Sequence, residues 1–325
     1  MADHLTANGK EIKVHNLQCI DLSNPDMHES AALLRKACME SGIFYVINHG
    51  MSQEFMDETF AQFKRFFDLP MEEKMKLVWN NNLRGYRPSN EAFIDDNNKQ
   101  KVDFGEIFHI GVDVSEDDPH AHDFLYGPNV WPPADLLPEW REAMEKYHQE
   151  ATNVARKIGR IIAVALDLHE DFFDQPELIG CSSNANYTNI IHYGVHEAHV
   201  LKDVAGAPPH RDMNLITLLA TDDIWGLQIC KEENAKSQVW EAIAPVKGAY
   251  IVNVGDMLEM LTNGIFRSIL HKVVVVNQER YSAATFICPN HDYIIKCLPT
   301  CTSNENPPKY PTVRTGQYLY NRFNQ

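Results

Sequence analysis

From residue 186 onward the chain breaks into short β-rich runs, each bounded by Gly, Pro, Asn or Asp: 187–193, 214–220, 225–230, 238–243, 248–254, 265–276, 280–288 and 292–298. Strands this short must pair into sheets, and an apolar sheet face must be covered by another layer. About eight such strands is the count of a double-sheet jelly roll. The part before them reads differently. Ala31, Leu34, Ala37 and Cys38 stand at helical spacing within 28–41, and Gly42 stops that helix. Ile43-Phe44-Tyr45-Val46-Ile47 reads as a short buried strand, with a turn at Asn48-His49-Gly50. Ser52 is an N-cap, and Met56, Phe60, Phe63 and Phe67 stripe the helix that follows. Pro70 opens a short charged helix, and residues 80–136 read as irregular. Pro138 then opens a long helix. Trp140, Met144, Tyr147, Ala151, Val154, Ile158, Ile161, Ala165 and Leu168 keep one apolar face along it, as a scaffold for a sheet would. The layout predicts one α+β domain over residues 1–325. Residues 1–185 form a mainly helical and irregular amino-terminal part, 186–300 the jelly-roll core, and 301–325 a carboxy-terminal segment.

Charge and cysteine usage narrow the function. Lys and Arg number 29 against 45 Asp and Glu, a formal charge of −16. That balance speaks against nucleic acid or an anionic membrane as partner. A small anionic ligand would therefore need a local cation. No run approaches the roughly 18 apolar residues of a membrane span, and the opening Met1-Ala2-Asp3-His4-Leu5 has no apolar signal region. Seven cysteines make an odd set, with only Cys297 and Cys301 close together. They fit neither a disulfide framework nor a zinc site, and reduced thiols in a cytoplasmic protein are expected. The expected state is a monomer acting on a small molecule.

The chemistry concentrates in Pro208-Pro209-His210-Arg211-Asp212-Met213. On extended backbone, side chains two apart share a face, so His210 and Asp212 converge. An imidazole and a carboxylate are two thirds of a facial metal site with open positions opposite. His271 heads the Val273-Val274-Val275-Val276 run and offers a second imidazole. Asn277-Gln278-Glu279 is long enough for a hairpin turn, after which Arg280, Ser282, Ala284 and Phe286 share one face of a strand expected to pair with that of His271. Arg matches a carboxylate bidentately and Ser adds a donor. Singly, a strand histidine is more often a core residue and an arginine more often a surface ion pair. Together they describe a metal that a chelating diacid could reach while its far carboxylate is held.

The chain resembles the plant-type iron(II)- and 2-oxoglutarate-dependent dioxygenases, the group related to isopenicillin N synthase. The likeness covers nearly the whole chain. It is carried by Gly42 to Gly50, Arg84-Gly85-Tyr86, Gly226-Leu227-Gln228, Asn253-Val254-Gly255-Asp256, Asn263-Gly264 and above all 208–282. The resemblance implies a distorted double-stranded β-helix (jelly roll) with iron on His210, Asp212 and His271, these being the catalytic residues. It implies 2-oxoglutarate on Arg280 and Ser282, with Tyr193 also reaching the cosubstrate. It further implies O2 consumption, release of succinate and CO2, and oxidation of a substrate C–H bond by hydroxylation, desaturation, ring closure or demethylation, with ascorbate as a candidate supporting reductant. Two departures stand out: Ile191 where the family often has Asn, and Arg211 where it often has Thr or Ser. Arg211, facing away on an extended strand, is expected to make a structural or rim contact. Substrate contacts are expected from Phe93, Phe104, Phe108, Met213, Phe286, Tyr318 and Phe323, which suit an apolar metabolite. The nearest texture is hyoscyamine 6-hydroxylase-like, which suggests specialised metabolism, with hormone metabolism as another course. The competing readings are a same-fold oxidase that does not use 2-oxoglutarate and a non-catalytic member that binds a small molecule for sensing.

Overall fold

The structure is a computed structural model that describes residues 4–7, 10–89, 105–118, 121–180, 185–195, 205–232 and 238–324. A ribbon of β1 (His4–Ala7) and β2 (Lys10–Lys13) precedes β3 (Cys19–Asp21). Helix α1 (Met27–Glu40) starts where the Asp26 carboxylate accepts the N–H groups of His28 and Glu29. Gly42 follows it at φ +68°, and a Cβ there would lie 2.1 Å from the Arg267 carbonyl oxygen, so only glycine fits this stop. Then come β4 (Ile43–Ile47), α2 (Gln53–Phe67) capped by the Ser52 hydroxyl, and the short α3 (Met71–Met75). Next are β5 (Gly85–Arg87), β6 (Gly105–Gly111) and the long α4 (Trp140–Ala165). The second half carries β7 (Tyr187–Tyr193), β8 (Ala205–His210), β9 (Ile216–Thr221), β10 (Leu227–Glu232), β11 (Val239–Ala242) and β12 (Tyr250–Val254). It closes with α5 (Asp256–Leu261), β13 (His271–Val274), β14 (Arg280–Ile287), β15 (Ile294–Ile295), β16 (Val313–Arg314) and α6 (Thr315–Phe323).

Two sheets form the jelly roll. The larger runs β3-β4-β12-β9-β14-β7-β6-β5 and the smaller β11-β10-β13-β8. One face of the large sheet packs on the helices. Trp140, Met144, Tyr147 and Ile158 of α4 are buried there, the indole N–H of Trp140 donates to the Gln62 carbonyl at 2.9 Å, and Phe66, Phe108 and Trp140 pack against one another. Each large side chain buried this way contributes about 1.5–3 kcal/mol. The other face meets the small sheet across a second apolar cluster that includes Tyr193, Leu219, Leu227, Ile251 and Val273.

Three expectations about strands change. First, the amino-terminal part contributes more than the single strand expected at 43–47: it supplies β3, β4, β5 and β6 of the large sheet. β5 and β6 lie inside 80–136, where Asn, Pro and Asp in the flanking chain hide the alternation of Ile107, Phe108, His109 and Ile110. Second, Ala205-Gly206-Ala207-Pro208-Pro209-His210 has little strand propensity yet forms β8. It can do so at the end of the small sheet, where proline's missing N–H costs no ladder bond. Third, β13 and β14 are not a hairpin. β13 pairs with β8 and β10, whereas β14 pairs with β7 and β9 in the other sheet. The polar 277–279 stretch is a crossover between layers, so His271 and Arg280 face each other from opposed sheets instead of lying side by side.

Candidate metal centre

β8 ends at His210, the chain turns, and after Leu215 it enters β9 of the opposite sheet. Asp212 stands on that turn. Its carbonyl accepts the N–H of Asp256 at 2.8 Å, and a Cβ on Gly255 would be 2.2 Å from the Asn214 carbonyl oxygen. The corner is thus clamped against the start of α5. His271 begins β13 directly opposite His210. As a result His210 Nε2 lies 3.7 Å and His271 Nε2 3.6 Å from Asp212 Oδ1, and the ligand atoms of all three lie within 4.8 Å of one another.

The surroundings prepare each group as a donor. His210 Nδ1 lies 2.7 Å from the Pro208 carbonyl and His271 Nδ1 3.0 Å from that of Ile269. Each Nδ1 therefore carries the proton and each Nε2 lone pair is free, the usual support for a ligating imidazole. Burial, with His210 close by, lowers the His271 pKa to about 4, so the ring is neutral near neutral pH. Burial alone would raise the Asp212 carboxyl, but the two imidazoles and hydrogen bonds from Thr217 and Asn253 outweigh it and hold the carboxyl below its usual range. Those hydrogen bonds, at 2.7 and 3.4 Å, both go to Oδ2 and leave Oδ1 toward the imidazoles. Two neutral nitrogens and one anionic oxygen, with no sulfur, fit iron(II).

The three residues line a cavity of about 200 Å³ between the sheets. Arg280, Ser282, Ala284 and Phe286 all face it, as period two predicts. Arg280 is buried. Its Nε donates to the Ile224 carbonyl at 3.1 Å, its Nη2 lies 3.4 Å from the Thr221 hydroxyl, and its Nη1 is buried with no partner among the described residues. The guanidinium lies 4.9 Å from the Tyr193 ring centroid. Asp222 lies within electrostatic reach of it, but the carboxylate's hydrogen bonds come from the backbone N–H groups of Tyr281 and Ile224. A cation with an unspent donor facing a cavity fits a carboxylate ligand. Glycine leaves room on this wall, since a Cβ on Gly206 would come 2.7 Å from Tyr193 Cε1.

The other sequence-predicted contacts scatter. Phe286 faces the cavity, stacked on Tyr187 at 4.5 Å. Phe108 does not, because the strand parity that brings Ile107 inward turns Phe108 into the helix-side core against Phe66 and Trp140. Met213 packs on the same helix-side core, and the Tyr318 hydroxyl donates to Asp256 at 2.9 Å. Phe323 is exposed and packs edge-on against Phe124. None of these three lines the cavity, because they follow corners and helices that run behind it. Phe93 and Phe104 lie outside the described residues. Arg84, in the Arg84-Gly85-Tyr86 motif, is fully buried and bonds His109 Nε2 at 2.9 Å and the Leu125 carbonyl at 2.7 Å. His109 in turn stacks on Tyr187, so the buried arginine braces a row of rings that ends at Phe286. Sequence reading missed Asn189, Ile107, Thr217 and Asn253. Counting back by twos from Tyr193 would have reached Asn189, whereas Thr217 has no local signal.

Arg211 donates to the Ser268 carbonyl, away from Arg280 and Tyr193. Arg211→Thr is accordingly expected to change the 2-oxoglutarate KM by less than about twofold, a change at a half-buried side chain that leaves the Arg280 anchor intact. A large rise measured in steady-state assays would refute that placement.

Two family models match the sequence. Residues 17–134 match the non-haem dioxygenase in morphine synthesis N-terminal model, and 181–289 match the 2OG-Fe(II) oxygenase superfamily. Azadirone synthase LFS of Melia azedarach is 85% identical over 100% of this chain and 97% of its own length. Kihadalactone A synthase LFS of Citrus sinensis is 65% identical over 100% and 96%. Among solved structures, a putative 2OG-Fe(II) oxygenase family protein of Caulobacter crescentus aligns with a TM-score of 0.81 at 27% identity, covering 95% of this chain and 98% of that one. A full-length Neurospora crassa protein in complex with alpha-KG gives 0.81 at 25% identity over 100% of both.

Proposed function

We propose, for a chain that belongs to the iron(II)- and 2-oxoglutarate-dependent oxygenases, that iron is held by His210, Asp212 and His271 and 2-oxoglutarate by Arg280, Ser282 and Tyr193. The enzyme oxidises a C–H bond of a small, largely apolar metabolite. Bound iron(II) and 2-oxoglutarate supply the oxidising chemistry, in which O2 is consumed and succinate and CO2 are released. The chain's own residues do the rest. Pro208 and Ile269 carbonyls fix the two imidazoles with Nε2 unprotonated. Thr217 and Asn253 fix the carboxylate with one oxygen free. Arg280, from the opposite sheet, sets the length and direction of the cosubstrate. Ile191, Leu219, Leu227 and Val273 make the walls apolar and exclude water.

One observation carries the cosubstrate assignment: Arg280 Nη1 is buried, unpartnered among the described residues and in the same cavity as the triad. That cation counts against a same-fold oxidase without 2-oxoglutarate, and the intact ligand set counts against a non-catalytic sensing protein. Support for the substrate class comes from the relatives named for azadirone and kihadalactone A and from the apolar walls. The substrate is then a specialised plant metabolite of that kind, and the enzyme a cytoplasmic monomer. The charge of −16 supports the absence of a nucleic-acid partner. The strands that 1–185 contributes to the large sheet support a single working unit over 1–325.

The test is succinate release, with iron(II) and O2, across a panel of apolar plant metabolites, the product located by mass spectrometry. Failure of every compound to release succinate above the substrate-free rate would overturn the reading. Gly206→Ala gives a second check. Its Cβ would displace the Tyr193 ring that lies over Arg280, and a rise of roughly tenfold in the 2-oxoglutarate KM is expected, the scale of one overpacked contact. An unchanged KM would remove Tyr193 from the cosubstrate site.

A further inference from the structure

We infer that Asn189 binds a hydroxyl group of the substrate and makes the enzyme selective for an apolar metabolite bearing a free hydroxyl. The inference rests on the oxygenase reading of the cavity and deepens it. Asn189 lies in the middle of β7 and lines the cavity. Its partners across the sheet are His109 of β6 and Ala284 of β14, with Leu219 of β9 beyond. Ala284 and Leu219 have no polar side chain, and no hydrogen bond from His109, whose Nε2 accepts from Arg84, reaches Asn189 Oδ1. The Asn189 Oδ1 atom is left buried with no hydrogen-bond partner among the described residues. A buried acceptor without a donor is uncommon and costly, and one that faces a ligand cavity is completed by the ligand.

The position separates this group from the cosubstrate. Same-face residues along a strand are about 6.5–7 Å apart, which puts Asn189 roughly 13 Å from Tyr193 along β7. That exceeds the reach of a five-carbon diacid anchored beside Tyr193 and Arg280. On the metal side Asn189 shares the cavity with the triad. Leu219, in its row, is two residues from Thr217, which bonds the Asp212 carboxylate. Asn189 therefore lies on the wall of the triad's cavity, away from the cosubstrate anchor, where a substrate entering the same cavity can meet it.

The chemistry of the ligand follows from the lining. The unspent atom is an acceptor, so the ligand group is a donor. An ammonium would need a counter-charge, and the carboxylate in this cavity, Asp212, is already engaged. A carbonyl or ether offers no donor. A hydroxyl on an otherwise apolar skeleton satisfies Oδ1 and matches the Ile107, Ile191, Leu219 and Phe286 surfaces around it.

The test is a cycle of two enzymes and two compounds. The most active hydroxylated compound of the succinate-release panel and its deoxy analogue are compared on wild type and on Asn189→Leu, which keeps the volume and removes the amide. Removing the hydroxyl is expected to lower kcat/KM about 30-fold in wild type and less than about threefold in the variant, as for a site whose buried acceptor is left unpaired. Anaerobic titration should give a 2-oxoglutarate Kd within about twofold of wild type in Asn189→Leu, while the hydroxylated compound binds more weakly by the same factor as its kcat/KM. Asn189→Ala, which asks less of the packing, should give the same pattern. Equal losses on both enzymes, a 2-oxoglutarate Kd raised in Asn189→Leu, or a most active compound without a hydroxyl would each overturn the assignment and leave the oxygenase reading standing. Absence of succinate release from the whole panel would bring down both.

Discussion

Asp212→Ala is expected to release iron(II) and stop turnover, with metal affinity falling at least about 100-fold and succinate release dropping to the no-enzyme rate. Loss of an outer partner of a metal ligand alone costs about 10–100-fold, and here the anionic ligand itself is removed. The residue also accepts from Thr217 and Asn253 in a buried corner, so the Ala variant takes this acceptor from the Asn253 amide and leaves Thr217 only its longer bond to Asn214 Oδ1 at 3.3 Å. A buried donor left unsatisfied costs about 1–3 kcal/mol. Asp212→Asn separates the two effects: its amide oxygen still accepts from Thr217, so the melting temperature should stay nearer wild type while the anion is gone. Iron content after anaerobic desalting, read beside the melting curve, is the measurement. A variant that keeps stoichiometric iron at wild-type affinity would dismiss Asp212 as a ligand.

Arg280→Ala is expected to raise the 2-oxoglutarate KM about 100-fold with a much smaller change in kcat at saturation. A buried charge pair that loses one partner costs about 3–5 kcal/mol, and 1.4 kcal/mol is tenfold in affinity. Arg280→Lys should recover only part of the loss, because an ammonium cannot reproduce the fork that reaches the Ile224 carbonyl, Thr221 and the ligand at once. Anaerobic titration of 2-oxoglutarate into the iron-loaded variants measures this directly. An affinity within threefold of wild type would show that the unpartnered Nη1 does not meet the cosubstrate.

Much of the site was legible in the chain because it is built from short-range spacing. Arg280, Ser282, Ala284 and Phe286 alternate along β14, so backbone period put them on one face, whereas His210 and Asp212, two apart in the chain, meet because Asp212 stands on the turn that follows β8. The substrate wall was less legible. Phe108 and Ile107 are neighbours of similar character, and only the strand's phase sends one to the cavity and the other to Trp140. Asn189 carries no motif. Its importance appears once the large sheet surrounds it with Ala284, Leu219 and an already engaged His109.

By itself the sequence determined the strand-rich second half, the scaffold helix, the two ligands of the His210 corner and the alternating face of β14, because each depends on residues close together in the chain and on the periods of helix and strand. Only the tertiary structure decided which elements meet. β8 became a strand through its pairing with β13, against the propensity of Gly206, Pro208 and Pro209. β13 and β14, adjacent in the chain, went to opposite sheets. That separation is what creates the site: the imidazoles are carried by one sheet, the arginine by the other, and the space between them is wide enough to hold a ligand. Pairing between distant strands is set by the burial of whole faces across the layers, a quantity no local stretch of sequence contains.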